Sequence, residues 1–281
     1  MCALKKHFPV YTIITITLNN FSGLQKTWKS IETQDFEDYE WLVIDGGSKD
    51  ETVDFLREKR SATRTALNPF KFISKPDDGI YDAMNLGINE ANGRYLLFLN
   101  AGDALASADI LSAIHPYTEK KPQFIYGDAI EPPASEGEPI YKAARRYKDL
   151  IWGMITHHQA MLYDRHLIRD HKIHYSMLYK IAADYDFTVR FLQRSKRILY
   201  IPKPICIFEP GGISQQNAVL GRHEQYLIRE NLEMVSQAQN LWIRSVQSMS
   251  WRLKKISPSL YEYVKKIVLN VKDRKHKKKK K

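Results

Sequence analysis

The stretch from Lys75 to Asp103 constrains the fold of this chain more than any other. Lys75-Pro-Asp-Asp-Gly79 has the composition of a turn, and Ile80, Met84, Gly87, Ile88 and Ala91 then recur on one helical face. Tyr95 to Leu99 is an apolar run of strand character that ends in Asn100-Ala-Gly-Asp103. A turn, a helix and a buried strand that stops at a carboxylate place that carboxylate at a sheet edge, where open α/β folds bind ligands.

Upstream the same plan occurs twice. Val10 to Leu18 is rich in Thr and β-branched residues and reads as a strand, and Ser22 opens a helix carrying Leu24, Trp28 and Ile31. Trp41 to Ile44 is a second strand ending at Asp45-Gly-Gly-Ser48, and Asp50 caps a helix carrying Val53 and Leu56. Phe70 to Ser74 is a third strand. This alternation predicts a Rossmann-like α/β fold, a mostly parallel sheet flanked by helices with right-handed crossovers.

Later strands are expected at Phe124 to Tyr126 and Ile198 to Ile201, with an exposed Pro-rich loop from Glu131 to Pro139. Helical character returns from Tyr226. Trp242, Val246, Met249, Leu253 and Ile256 form one amphipathic series, and beyond Pro258 come Leu260, Val264, Ile267 and Val271. The expected organisation is an α/β domain over 1–220, an amphipathic helical extension over 221–271 and a disordered polybasic tail over 272–281.

Cys2 and Cys206 lie far apart, which argues against a disulfide framework and for a reducing compartment; Cys206 reads as an inert core residue. Lys5 and Lys6 before the Val10 run resemble the start of a signal peptide. The run is too short to span a bilayer, however, and no small-residue cleavage site follows. A cytosolic protein is expected. Of the net charge of +11, Lys272 to Lys281 supplies +7, so the rest is mildly basic. The basic run lacks interleaved aromatics and the body is nearly balanced, so no nucleic-acid partner is expected. With Trp242, Trp251, Arg244, Arg252, Lys254 and Lys255 it forms either a peripheral contact with anionic lipid or a packed helix with a solvated tail.

Three acidic points fall where a ligand can be held. A nucleoside diphosphate is bound through a hard cation, and a hard cation takes carboxylate oxygens from a rigid edge. Asp103 meets that need, although Asn-Ala-Gly-Asp is also good turn chemistry. Asp45 is either a turn or cap residue or an acceptor for a base or ribose. Asp184 and Asp186 either point to opposite sides of a strand or stand about 200° apart on a helix, so one is expected to serve a site and the other to be a surface residue.

Taken in order, Thr12-Ile-Ile-Thr-Ile-Thr-Leu-Asn19, Trp41-Leu-Val-Ile-Asp-Gly-Gly-Ser-Lys-Asp-Glu-Thr52 and the stretch through Asp103 resemble inverting family-2 glycosyltransferases of the GT-A fold. The resemblance covers about residues 8 to 215 and is greatest to the branch that builds bacterial exopolysaccharides such as colanic acid, capsules and O-antigens. It implies a nucleotide-sugar donor, a saccharide or lipid-linked saccharide acceptor, and a Mg²⁺ or Mn²⁺ cofactor. Asp45 would receive the base. Asp103 would bind the cation in the region of the family's Asp-X-Asp motif, with one carboxylate where the family offers two or more. Asp184 matches the second acid of a Glu-Asp pair that serves as general base, with Ala183 in place of the Glu. Asp78, Asp82 and Asn85 either cap the following helix or contact the donor sugar. His158, in His157-His158-Gln159, is either structural or close to the diphosphate or metal, and Gly211-Gly212-Ile213-Ser214 is either a turn or an element near the acceptor.

Two other enzyme classes fail on the first loop, since Asn19-Asn20-Phe21-Ser22 has neither the Gly-rich basic loop of a nucleotidyltransferase nor a dinucleotide fingerprint. A non-catalytic membrane or scaffold protein with a degenerate transferase fold is the alternative from another class.

Overall fold

The computed structural model describes residues 8–62, 69–133, 137–257 and 259–260. The β-branched runs are strands buried along their whole length, as helices on both faces of a sheet require. β1 (Tyr11–Thr17) and β2 (Tyr39–Asp45) are buried at every position. Between them lies α1 (Phe21–Glu32), capped by the Asn20 side chain accepting from the Gly23 N–H, with Leu24, Thr27 and Ile31 buried. α2 (Thr52–Ala62), β3 (Phe70–Ser74), α3 (Ile80–Glu90) and β4 (Tyr95–Phe98) come next. β3, β2, β1 and β4 pair in parallel in that order, the arrangement of nucleotide-binding sheets.

The chain then continues through β5 (Ala104–Leu105), α4 (Ile110–Thr118), β6 (Phe124–Glu131), β7 (Ile140–Lys142), β8 (Met161–Asp164), α5 (Arg165–Asp170), α6 (Ala183–Leu192), β9 (Ile198–Ile207) and α7 (Ile213–Gln216). β8 runs antiparallel between β4 and β6, and β6 and β9 are parallel. β5 lies antiparallel on the end of β9, and β7 lies on β6. Among the described residues all nine strands belong to one sheet.

The apolar runs at Phe124 and Ile198 are only the beginnings of longer strands. β6 continues past Asp128 because that carboxylate is satisfied inside the sheet, accepting from the Tyr200 hydroxyl at 2.8 Å, the Ala144 N–H at 2.7 Å and the Tyr141 hydroxyl. β9 carries Pro202 and Pro204 where its register with β6 shifts on either side of Asp128, an irregularity at which prolines are tolerated. Cys206 sits in the hydrophobic core as a free thiol.

The chain divides into two compact units, 1–218 and 219–281. Beyond the first, α8 (Ala218–Asn231) is followed by α9 (Gln237–Ile256). Ser236 and Gln239 form a reciprocal capping box that starts α9. Arg229 of α8 is fully buried and donates to Asn240 Oδ1 at 2.7 Å, and Asn240 donates to the Tyr226 carbonyl at 3.0 Å. Cys2, residues 134–136 of the Pro-rich loop, the series through Val264, Ile267 and Val271, and the tail over 272–281 lie outside the described residues.

Helix α3 packs on β1 so closely that a Cβ at Gly87 would stand 2.6 Å from Ile14 Cγ2. On helix propensity alone, alanine at 87 gains about 1 kcal/mol over glycine. The clash with a branched core side chain reverses that sign. Gly87→Ala is expected to lower stability by about 1–3 kcal/mol, read as a lower urea midpoint; an unchanged or higher midpoint would show that α3 stands further from the sheet.

Candidate active site

A cleft of about 710 Å³ opens where the chain leaves β1 and β4. One wall is the start of α1, with Asn20, Gly23 and Lys26, and the floor is Asn100 to Asp103. Ile80 and Tyr81 of α3, Gln159, and Lys180 with Ile181 before α6 form the opposite side, and the segment after β9, Phe208 to Pro210 and Gly212 to Ser214, closes it.

The Asn100–Asp103 turn is held from α1. The Thr27 hydroxyl donates to the Asp103 carbonyl at 2.6 Å and accepts from the Gly102 N–H at 3.1 Å. Asn20 donates to the Ala101 carbonyl at 3.1 Å. Gly102 lies at φ 107°, a conformation that favours glycine and turns the chain sharply enough to present Asp103. β5 then fixes what Asp103 faces. Ala104 pairs with Ile207 and Leu105 with Cys206, so the residues that follow β9 emerge beside Asp103. Its Oδ1 accepts from the Glu209 N–H at 2.9 Å and its Oδ2 from the Gln159 amide at 2.8 Å.

Asp103 is 4% exposed. Burial pushes its carboxyl up to about 7; the Glu209 N–H, Gln159 and Lys26 oppose the rise, and the Glu209 carboxylate adds to it. Glu209 is paired with Lys26 at the cleft. Lys180 on the far side is exposed.

The residues singled out from sequence separate into those at the cleft and those beneath or beside it. Asp103 and Gly212 line it, and Gly211, at φ 97°, forms the turn before Gly212. Asp184 opens α6 just after Ile181 and is half-buried. Asp186 is buried and held by Arg190, which donates to it through Nε at 2.9 Å. Asp78 is exposed in the turn ahead of α3, and Asp82 accepts from the Asp78 N–H at 3.3 Å, a helix-capping contact.

Three residues do other work. Asp45 is fully buried, and its oxygens accept from Ser74 Oγ at 2.6 Å and from the N–H groups of Gly47 and Ser48, so it braces the Gly46–Ser48 turn and ties β2 to β3. Asn85 spends both ends of its amide on Tyr175, donating to the carbonyl at 3.0 Å and accepting from the N–H at 2.7 Å. His158 does not reach the cleft. It is stacked on Phe98 and bonded to the Tyr175 hydroxyl at 2.8 Å, and burial drives its pKa down to about 3, which leaves it neutral. The motif containing it does supply the site, through its neighbour Gln159. Lys26, Glu209, Tyr81 and Phe208 carried no signal in the sequence, because each reaches the cleft only through the pairing of distant segments.

The donor set for a cation consists of oxygens, the kind that Mg²⁺ and Mn²⁺ take. Besides Asp103 and Glu209, Asn100 contributes a buried Oδ1 with no hydrogen-bond partner among the described residues. No group of three or more His, Cys, Asp or Glu side chains suited to a metal occurs among the described residues. The residues present fit a cation that takes one or two carboxylates from protein and the rest of its shell from substrate phosphates and water, which is the usual habit of Mg²⁺.

Residues 12–197 match the model of Glycosyl transferase family 2, and the chain belongs to that family. It is 34% identical over 185 residues to a PGL/p-HBAD biosynthesis glycosyltransferase of Mycobacterium bovis, covering 65% of this chain and 69% of the relative. An uncharacterized glycosyltransferase of Mycobacterium tuberculosis is 31% identical over 223 residues, covering 76% and 81%. Two solved structures share the fold: S. aureus TarS 1-349 in complex with UDP-GlcNAc, at TM-score 0.65 and 17% identity over 88% of this chain and 73% of that one, and the mannosyltransferase PcManGT of Pyrobaculum calidifontis in complex with GDP-Man and Mn²⁺, at 0.63 and 14% over 95% and 81%.

The raised pKa of Asp103 has a consequence for stability. The folded state holds the Asp103 proton more tightly than the unfolded chain, so in metal-free protein stability falls as pH rises from the ordinary carboxylate range through about 7. Asp103→Asn, with the Gln159 amide turned to present its oxygen, is expected to stabilise chelator-treated protein at pH 8 by on the order of 2 kcal/mol. The gain should shrink towards pH 4; a thermal-melting difference independent of pH would refute the burial argument.

Proposed function

We propose that this glycosyltransferase moves a sugar, with inversion, from a nucleoside diphosphate sugar to a hydroxyl of a saccharide acceptor carried on a lipid. The observation that carries the reading is Asp103, a buried carboxylate pinned between Gln159 and the Glu209 N–H at the sheet's carboxyl edge. The nucleotide sugars named with TarS and PcManGT support the donor class. The biosynthetic role in the M. bovis relative's name supports assembly of a glycoconjugate.

In this reading the base lies against the Gly46–Ser48 turn that Asp45 braces, and Asp78 and Asp82 stand on the donor-sugar side. Lys26 and Lys180 bring positive charge to the diphosphate. Gly212, with no side chain, lets the acceptor approach the backbone. Asp103, with Asn100 and Glu209, would hold Mg²⁺ or Mn²⁺, which when bound neutralises charge on the departing diphosphate. The acceptor oxygen bonds to the anomeric carbon as the bond from that carbon to the diphosphate oxygen breaks. The acceptor proton passes to the carboxylate of Asp184, and the electron pair leaves with the nucleoside diphosphate. Asp184 suits the role better than Asp186, whose carboxylate is buried and committed to Arg190.

Calorimetry with a panel of nucleotide sugars, in Mn²⁺, in Mg²⁺ and in chelator, tests the donor. Binding of one donor that disappears in chelator is expected, and binding of none by folded protein would overturn the reading. Asp184→Asn should preserve donor affinity and lower transfer by about 10²–10⁴-fold, the usual contribution of a general base. Asp103→Ala should weaken metal-dependent donor binding; equal losses of binding and transfer in both variants would overturn the assignment of roles.

A further inference from the structure

Helix α9 is built with a partly polar side inward and an apolar side outward. Trp242, Val246, Met249, Leu253 and Ile256, at about 100° per residue, fall within an arc of about 80°. Trp242 is 59% exposed, Met249 69% and Ile256 83%. The opposite side carries Asn240, bound to Arg229 and Tyr226 of α8, and Trp251, whose ring lies 4.8 Å from the Arg222 guanidinium. Two further cations sit on rings of this unit, Arg244 over Tyr226 at 5.2 Å and Lys255 over Trp251 at 4.9 Å. A helix usually turns its apolar stripe to the core and its polar face to water. Here the stripe faces away from the contacts that join α8 to α9, and a contiguous exposed apolar stripe marks a docking surface.

Charge identifies the occupant. Residues 1–218 hold 27 basic and 27 acidic residues, whereas 219–281 hold 16 basic and 5 acidic, so the whole net charge of +11 belongs to the second unit. The exposed Arg252 borders the stripe. A second copy docked stripe to stripe would bring two such charges together, which like-charge repulsion disfavours. Nucleic acid would match the charge but has no use for a row of large apolar side chains. A bilayer with anionic headgroups matches both, taking the apolar side chains at the headgroup boundary while the cations meet the lipid phosphates.

We infer that α9 docks this protein on an anionic lipid surface through Trp242, Val246, Met249, Leu253 and Ile256. This inference does not rest on the catalytic reading, and it assigns to α9 a contact that the charge of the tail alone would not make.

The test uses the full chain and vesicles, with donor binding by calorimetry as a separate readout of the cleft. The protein is expected to bind vesicles of equal parts phosphatidylglycerol and phosphatidylcholine at least about tenfold more tightly than phosphatidylcholine alone. The triple variant Trp242→Ser, Met249→Ser, Ile256→Ser should lose at least about tenfold of that affinity, with its melting midpoint and donor binding unchanged. An environment-sensitive dye on Met249→Cys, in a Cys2→Ser background, should shift to an apolar spectrum when the mixed vesicles are added. A triple variant that binds as tightly as the parent would overturn the inference in favour of simple charge attraction by the tail. A dye already in apolar surroundings before vesicles are added would overturn it in favour of cover by another segment or a second copy, which light scattering tells apart.

Discussion

The site depends on a strand of two residues. Ala104 and Leu105 pair antiparallel with Ile207 and Cys206, so the chain leaving β4 and the chain leaving β9 emerge from the sheet side by side. That register brings the Glu209 N–H onto Asp103 and the Glu209 carboxylate into its ion pair with Lys26. α1 supplies the other constraint. Thr27 bonds the turn at Asp103 and Gly102, and the Ser30 hydroxyl accepts from the Leu105 N–H at 3.1 Å, so one helix fixes both the turn and the short strand after it. Without the pairing of β5 with β9 the Glu209 N–H would not be brought onto Asp103, which is why so small a pairing has so large a consequence.

A carboxylate buried in this way is costly to ionise, and the cost is concentrated in one place. The same cleft holds a second unfavourable group, the buried Asn100 Oδ1 without a partner among the described residues. Unpaired buried acceptors and desolvated carboxylates are both relieved by a hard cation. In the proposed function, a single carboxylate with a neutral oxygen and a half-exposed Glu209 would make a weak cation site by itself, and the remaining ligands would come from the diphosphate, which would couple metal and donor affinity. On this view the shortage of carboxylates after β4 reflects a site that forms fully only around its substrate.

The sequence was legible where structure is local. Alternating β-branched runs and helical faces gave β1 to β4 and α1 to α3, because each such element is decided by its own residues and by burial on both sides. The chain beyond β4 is governed less locally. β8 has only Met161 to Asp164, and β5 has two residues; neither carries a period long enough to read, and both exist because neighbouring strands need partners. The same distinction divides the site. Asp103 could be picked out because it ends a recognisable strand. Gln159 and Glu209 are neighbours of Asp103 only through the fold, and His158, beside Gln159, drew attention for its chemistry although its ring points into the aromatic core with Phe98 and Tyr175. Asp45 and Asn85 are a further case: the pattern located Asp45 at the end of a strand and Asn85 on the helix between the third and fourth strands, but hydrogen-bond accounting, invisible in sequence, commits their side chains to holding neighbouring segments.

The distribution of charge argues that the two units answer to different constraints. On the proposed function the cleft would bind an anionic donor and release an anionic product, which gains little from a large net field, and residues 1–218 are neutral overall, with Lys26 balanced by Glu209 at the site itself. The unit over 219–281, with 16 basic and 5 acidic residues, carries the whole excess of positive charge. Besides the buried Ile228 and Ile243, it is joined by the Arg229–Asn240 bond and by cations on aromatic rings, whereas Met249 and Ile256 of the α9 stripe stay largely exposed, as the inferred docking on a lipid surface requires.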